Sequence, residues 1–470
     1  MAKLEAVANK HAPTDPVLIA SELFTYWGWG DDSDPEGLQR RRVDAVAKLA
    51  AENGPDAIRA LLHRSQQAHY VQEAIEEAKL GPAFLEQLLR GEIAEAPDGW
   101  HAGGYFSMLR RASDADIALA VAADLLQTST PGTVAKLMRS WPPEHATWQA
   151  VASLGSEVLE HYWTDWTPFH AQGDRRTLLT IVLELMRRDR ALVALETCLN
   201  RIDEVPSCLV LRMLDAIVNE LNAGQKPRVS GLLDYELEET FKSLDKRDLP
   251  DIAIAQREYA LLALLEREHR PLKIHSLMAQ DPEMFHQILR DIYRAEHAED
   301  TSGEQTDEQR SKWRQAYKLL SHFSTVPGFT EAPPNREALN TWVDAMRALG
   351  ILHDRKDVTD IVVGNVLAHA PEDDLDNVWP HRFVRDVLEA NAGRIPRGMM
   401  TERVNMRGVT VRGVLDGGDQ ERDLAASLRK NAGAIERWPN TAAMLRAMAE
   451  RWDAYAEHED VDARQRRLRS

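Results

Sequence analysis

Apolar residues return at steps of three and four along nearly the whole chain, with polar residues between them. That spacing lines one face of an α-helix. Near the C-terminus, Trp438, Ala442, Leu445, Met448, Trp452 and Tyr455 form one such stripe. Leu424, Leu428, Ala432 and Ile435 form the stripe before it, and Pro439 separates the two. The pair predicts a helical hairpin whose stripes face each other. Leu178, Leu179, Ile181, Val182, Leu183, Leu185 and Met186 predict a helix apolar nearly all round and therefore buried on several sides. Further stripes run through Leu209–Leu221 and Ile252–Leu265.

Punctuation supports the same grammar. Gly54-Pro55, Gly81-Pro82, Pro131-Gly132, Pro142-Pro143, Arg270-Pro271 and Asp281-Pro282 interrupt the stripes. Proline at the first helical position sacrifices no hydrogen bond, so these are natural helix starts. Alternating runs that predict strands are scarce, and the best is the short Val409-Thr410-Val411. Helix pairs recur at about 40 residues, the spacing of HEAT-like repeats. Neither the tetratricopeptide nor the ankyrin consensus is present. The expected fold is all-α: an irregular α-solenoid of antiparallel helix pairs, with a more compact C-terminal helical part.

Two segments leave this pattern. Residues 299–310 are acidic and polar, predict a mobile loop, and divide the chain into helical regions 1–298 and 311–470. Residues 391–418 carry six glycines and predict a second long loop.

Composition narrows the function classes. Hydrophobic residues make up 44% of the chain, enough for a large core. No apolar run reaches the roughly 18 residues that span a bilayer, so no membrane role is expected. Cys198 and Cys208 are too few for a disulfide framework; they read as small buried thiols in a reducing cytoplasm. The net charge of −18 disfavours non-specific nucleic-acid binding.

Candidate chemistry is sparse. Arg394, Arg397, Arg403, Arg407 and Arg412 reverse the local charge in the 391–418 segment. Arginine forks and glycine-exposed N–H groups suit a phosphate or carboxylate, while pairing with the chain's own acids is the bland alternative. Tyr26, Trp27 and Trp29 sit beside glycines and are candidate protein contacts or a cap for the open end of the stack. His161, Asp165 and His170 offer metal-ligating groups, but Pro168 breaks any common helical face, so aromatic packing is the stronger reading. Asp31-Asp32-Ser33-Asp34 lacks the glycine and glutamate of a calcium loop. No nucleophile elbow or phosphate loop occurs, and His275 and His286 read as solvated or packed. No catalytic residue, metal or cofactor is assigned.

Gly408-Val409-Thr410-Val411-Arg412-Gly413, Gly417-Gly418-Asp419-Gln420-Glu421-Arg422 and Trp438-Pro439-Asn440-Thr441-Ala442-Ala443 form a distinctive C-terminal block. Together with Glu160-His161-Tyr162-Trp163 it resembles the C-terminal helical region of large bacterial multidomain proteins, some of them phage-defence-like. The resemblance covers residues 140 to 460 and implies a sensor or scaffold arm. The expectation is a non-enzymatic repeat protein with a protein partner. Two alternatives stay open: a nucleic-acid or nucleotide-binding regulator using the arginine segment, and an enzyme built around His161, Asp165 and His170.

Overall fold

A computed structural model describes residues 14–25, 34–96, 101–168, 173–227, 231–265, 272–297 and 306–469, apart from 331, 392, 409, 410, 412, 414 and 415. Among the described residues there are α-helices and short 3-10 turns and no strand, so the fold is an all-α helical repeat. Two residues of the expected strand, Val409 and Thr410, lie outside the described residues.

The chain forms two compact units, Met1–Arg228 and Val229–Ser470. In the first, α1 (Pro16–Ser21), α2 (Pro35–Arg64), α3 (Ala68–Glu77), α4 (Pro82–Glu95), α5 (His101–Ala112) and α6 (Ala115–Leu125) lead into α7 (Pro131–Met138), α8 (His145–Ser153) and α9 (Ser156–Thr164). Then come α10 (Arg175–Met186), α11 (Ala191–Cys198) and α12 (Ser207–Asn222). The main contacts join helices one or two places apart in the chain, the signature of a stack rather than a shared centre.

Local chemistry explains where the helices begin. Proline occupies the first turn of α1, α2, α4 and α7. Asp15, Asp34 and Thr130 stand before three of these and accept from Val17, Gly37 and Thr133 N–H at 2.9, 2.8 and 3.2 Å. Each satisfies a donor that has no partner inside the helix. At Gly54 the backbone turns to a φ of +76°, which bends α2 at the predicted Gly54-Pro55 break. Helix α10 is less enclosed than its sequence predicts. It buries Leu178, Ile181, Val182 and Leu185, while Leu183 is 40% exposed, so one broad face is packed and not all of it. Cys198 is buried but Cys208, in the first turn of α12, is exposed, which corrects the reading of both as buried.

The second unit holds α13 (Leu233–Asp245), α14 (Asp251–Leu261), α15 (Lys273–Gln280), α16 (Pro282–Ile292), α17 (Asp307–Ser321), α18 (Arg336–Leu352) and α19 (Lys356–Leu367). It continues through α20 (Arg382–Ala390), α21 (Ile395–Asn405), α22 (Asp419–Ala434) and α23 (Pro439–Arg469). One core runs from Ala255 in α14 to Met448 in α23 and includes Met278, Phe285, Trp342, Leu388 and Met399. The division of the chain therefore falls near 228, well before the acidic segment at 299–310. Helices α15 and α16 bury their apolar faces in the same core as α18, so no packing boundary separates them. Of the acidic segment, 299–305 lie outside the described residues. The rest begins α17, where Thr306 and Gln309 cap each other's backbone N–H reciprocally.

The expected C-terminal hairpin is present as α22 and α23, packed along their lengths. Helices α19 and α21 cross at glycines. A Cβ on Gly364 would overlap the Ile395 carbonyl, and one on Gly398 the Ile361 carbonyl, so the two backbones touch directly. Carboxylates from neighbouring helices also cap helix starts. Glu220 of α12 accepts from Ala191 and Leu192 N–H, Glu258 of α14 from Ile274 N–H at 2.9 Å, and Glu389 of α20 from Thr441 N–H at 2.9 Å. Each places negative charge at the positive end of a helix and ties two elements together.

Candidate functional site

The predicted 391–418 loop is helical in its middle, because Ile395-Pro396 starts α21 and Gly398 serves the crossing with α19. Among the described residues its arginines do not converge. Arg394 pairs with Asp357 at 2.5 Å. Arg403 lies 4.5 Å above the Trp379 ring, where burial pushes its pKa down against the pull of Glu372. Arg407 pairs at 2.6 Å with Glu421, which is 1% exposed, and covers the Trp452 ring. Arg397 is exposed on α21, and Arg412 lies outside the described residues.

Tyr26, Trp27, Trp29 and His170 also lie outside the described residues. His161 offers its main-chain carbonyl to Arg139 at 2.9 Å, and Asp165 stands 3.6 Å from the same guanidinium. Between them, Tyr162, Trp163 and Trp166 are buried with ring centres 5.1 to 5.8 Å apart. Burial pushes the Tyr162 phenol up to about 12. The segment packs α9 against its neighbours. Among the described residues no group of three potential ligands could hold a metal ion.

A different region gathers aromatic and cationic side chains that sequence reasoning did not connect. On α17, Trp313 and Tyr317 are one helical turn apart and stack with ring centres 5.2 Å apart and planes 10° apart. They remain 39% and 49% exposed. Trp313 donates from Nε1 to the Ile292 carbonyl at 3.3 Å, which fixes the pair against the end of α16. Tyr293 follows that end, 36% exposed; burial first, then the Tyr317 phenol, pushes its pKa up. Arg310, Lys312, Arg314 and Lys318 interleave with the aromatics along α17.

Cations continue the surface. Arg355 donates from Nε to the Tyr293 carbonyl at 2.8 Å and from a terminal nitrogen to the His353 carbonyl at 2.6 Å. The His353 ring stacks on His286 at 5.2 Å. His286 is 1% exposed, and its Nε2 has no hydrogen-bond partner. Arg290 lies one turn further along α16. Burial, then the charges of His353, Arg355 and Arg290, pushes the His286 imidazole down to about 4. Burial and then Arg290 lower Arg355 too, against Asp354. Asp354 is itself engaged: it accepts from His297 N–H at 2.8 Å and from the His297 ring at 2.6 Å. Glu296 is taken by Asp357 N–H at 2.6 Å. The Trp313–Tyr317 spacing and the basic residues around it were visible in the sequence. The histidine stack was not, because residues 286 and 353 meet only through the packing of α16 on α18.

Such a surface offers flat aromatic faces for stacking and forked or imidazole donors for anionic oxygens. No protein family and no curated protein matches the chain. Among solved structures it is similar to a "Circular tandem repeat protein with novel repeat topology and enhanced subunit contact surfaces". The identity is 11% and the TM-score 0.16, over 97% of this chain and 96% of that chain, an agreement too low to carry an argument.

Proposed function

We propose that the chain is a non-enzymatic helical-repeat scaffold or sensor arm that binds an acidic segment of a protein partner on the Trp313–Tyr317–Tyr293 face. One observation carries the reading. A stacked pair of large aromatic side chains is left in water beside basic residues, on a protein whose net charge is −18. Tryptophan and tyrosine are the side chains that most often dominate interface energies, and local charge reversal favours an acidic partner. The overall charge repels a long polyanion, so a protein fits better than a nucleic acid. The resemblance of the C-terminal block to helical regions of phage-defence-like proteins fits the sensor role.

The test is quantitative capture of partners from host lysate by the wild type and by the double variant Trp313→Ala, Tyr317→Ala. Both side chains are exposed, so the variant is expected to fold. A purified partner should then bind the variant at least about tenfold more weakly and lose affinity with added salt. Partners that bind both proteins equally would place the contact elsewhere and overturn the reading.

A further inference from the structure

We propose that His286, Arg290, His353 and Arg355 form a binding site for a phosphate-class dianion. This inference does not depend on the partner reading above. Three features of the geometry support it. First, four groups able to carry positive charge come from two stretches of chain: the His286 and His353 rings stack at 5.2 Å, Arg355 follows His353 by two residues, and Arg290 lies one turn beyond His286 on α16. Arg355 is held by two main-chain carbonyls. Bringing cations together opposes folding unless a counter-charge is supplied. Second, Asp354 and Glu296, two of the acids near Arg355, direct their hydrogen bonds to His297 and to the Asp357 N–H rather than to the guanidiniums. Third, His286 Nε2 is buried without a partner at 1% residue exposure, an unmet hydrogen-bonding group within the cluster. Arg290 is exposed and Arg355 and His353 are half-buried, so an anion can enter from solvent.

A phosphoryl group satisfies all of this at once. It offers several acceptor oxygens to the guanidiniums and imidazoles, and its charge offsets the mutual repulsion of the cationic groups. A carboxylate brings one charge and two oxygens, whereas a phosphoryl group brings up to two charges and at least three strong acceptor oxygens. The group can be free inorganic phosphate or one carried on a serine of a partner.

The experiment is equilibrium dialysis of the full chain against labelled inorganic phosphate at low ionic strength. It is run with wild type, Arg290→Gln and Arg355→Gln, and folding is checked by circular dichroism. Saturable binding, weakened about tenfold in each variant, is expected. Arg290 is exposed and donates to Gln287 Oε1 at 3.3 Å, so Arg290→Gln decides the matter even if Arg355→Gln misfolds. A phosphoserine peptide and its unphosphorylated twin form the second arm. A phosphopeptide that displaces phosphate and binds more tightly assigns the group to a partner; one that binds more weakly assigns it to the free ion. No saturable binding, or binding unchanged in Arg290→Gln, overturns the proposal.

Discussion

Arg385 shows how this chain handles charge at the scale of a single residue. It is fully buried, forks onto Asp376 at 2.6 and 2.8 Å, donates to the Pro380 carbonyl, and lies 4.8 Å from the Trp438 ring. Trp438 in turn donates from Nε1 to Asp386 at 2.8 Å, and the Arg437 guanidinium lies 3.8 Å from its ring. Trp438→Ala removes a buried ring and leaves Arg385 without its aromatic cover. It should destabilise the second unit by about 3–5 kcal/mol, read as a shift in the urea midpoint. An unchanged midpoint would mean that the ring contributes nothing to the core. His275 gives a pH test. Burial pushes its imidazole down to about 4, opposed by the Leu319 backbone bond and helped by His322. The unfolded chain, with a histidine pKa of about 6.5, therefore binds a proton that the folded chain refuses between those values. This contribution to stability is whole above pH 6.5 and is lost as pH falls toward 4, by roughly 2–3 kcal/mol. Urea titrations across that window should show His275→Leu with a shallower slope than wild type. Equal slopes would show that His275 does not govern it.

Elements were easier to read in sequence than their partners. The starts of α4, α7 and α16 fall where proline follows Gly81, Thr130 and Asp281, because the first turn is specified by residues within four positions of each other. Helix α21 was hidden by its glycines and arginines, which mimic a ligand loop. What makes it a helix is the crossing at Gly364, which lies 34 residues away and leaves no local trace. The same limit applies to the histidine stack and to the Arg407–Glu421 pair. Such pairs depend on which helix faces which, and periodicity does not report that. The capping of one helix by a carboxylate from another is equally invisible locally. Glu389 accepts from Asn440 N–H, Thr441 N–H and Thr441 Oγ1 at 3.1, 2.9 and 3.0 Å. Glu389→Ala should cost about 1–3 kcal/mol and raise amide exchange in the first turn of α23. Exchange that is unaltered there would separate the carboxylate from helix stability.

At the scale of the whole molecule, acidity and turn residues pointed to a division at 299–310, whereas the core ignores that segment. Phe285 of α16 meets Trp342 of α18 edge-on at 5.2 Å, and Trp342 donates to the Met278 carbonyl at 3.1 Å. A fragment spanning 229–470 should therefore unfold in one cooperative transition. A fragment spanning 311–470, stripped of α15 and α16, should bind a hydrophobic dye and lack a sharp transition. If the shorter fragment melts as cooperatively as the longer, the shared core is not the unit of folding. The first unit, where contacts join near neighbours in the chain, should tolerate loss of α1 with only local effects, as stacked repeats do.

The glycine crossing of α19 and α21 has a thermal consequence. The core of the second unit is held largely by leucine, valine and methionine side chains, whose ordering opposes folding more strongly as temperature rises. Where Gly364 meets Gly398 there are no side-chain rotamers to freeze, but each glycine gives up more backbone freedom than any other residue. Their contact therefore depends on the side chains packed around it, and heating should part the two backbones when that surrounding core opens, not after it.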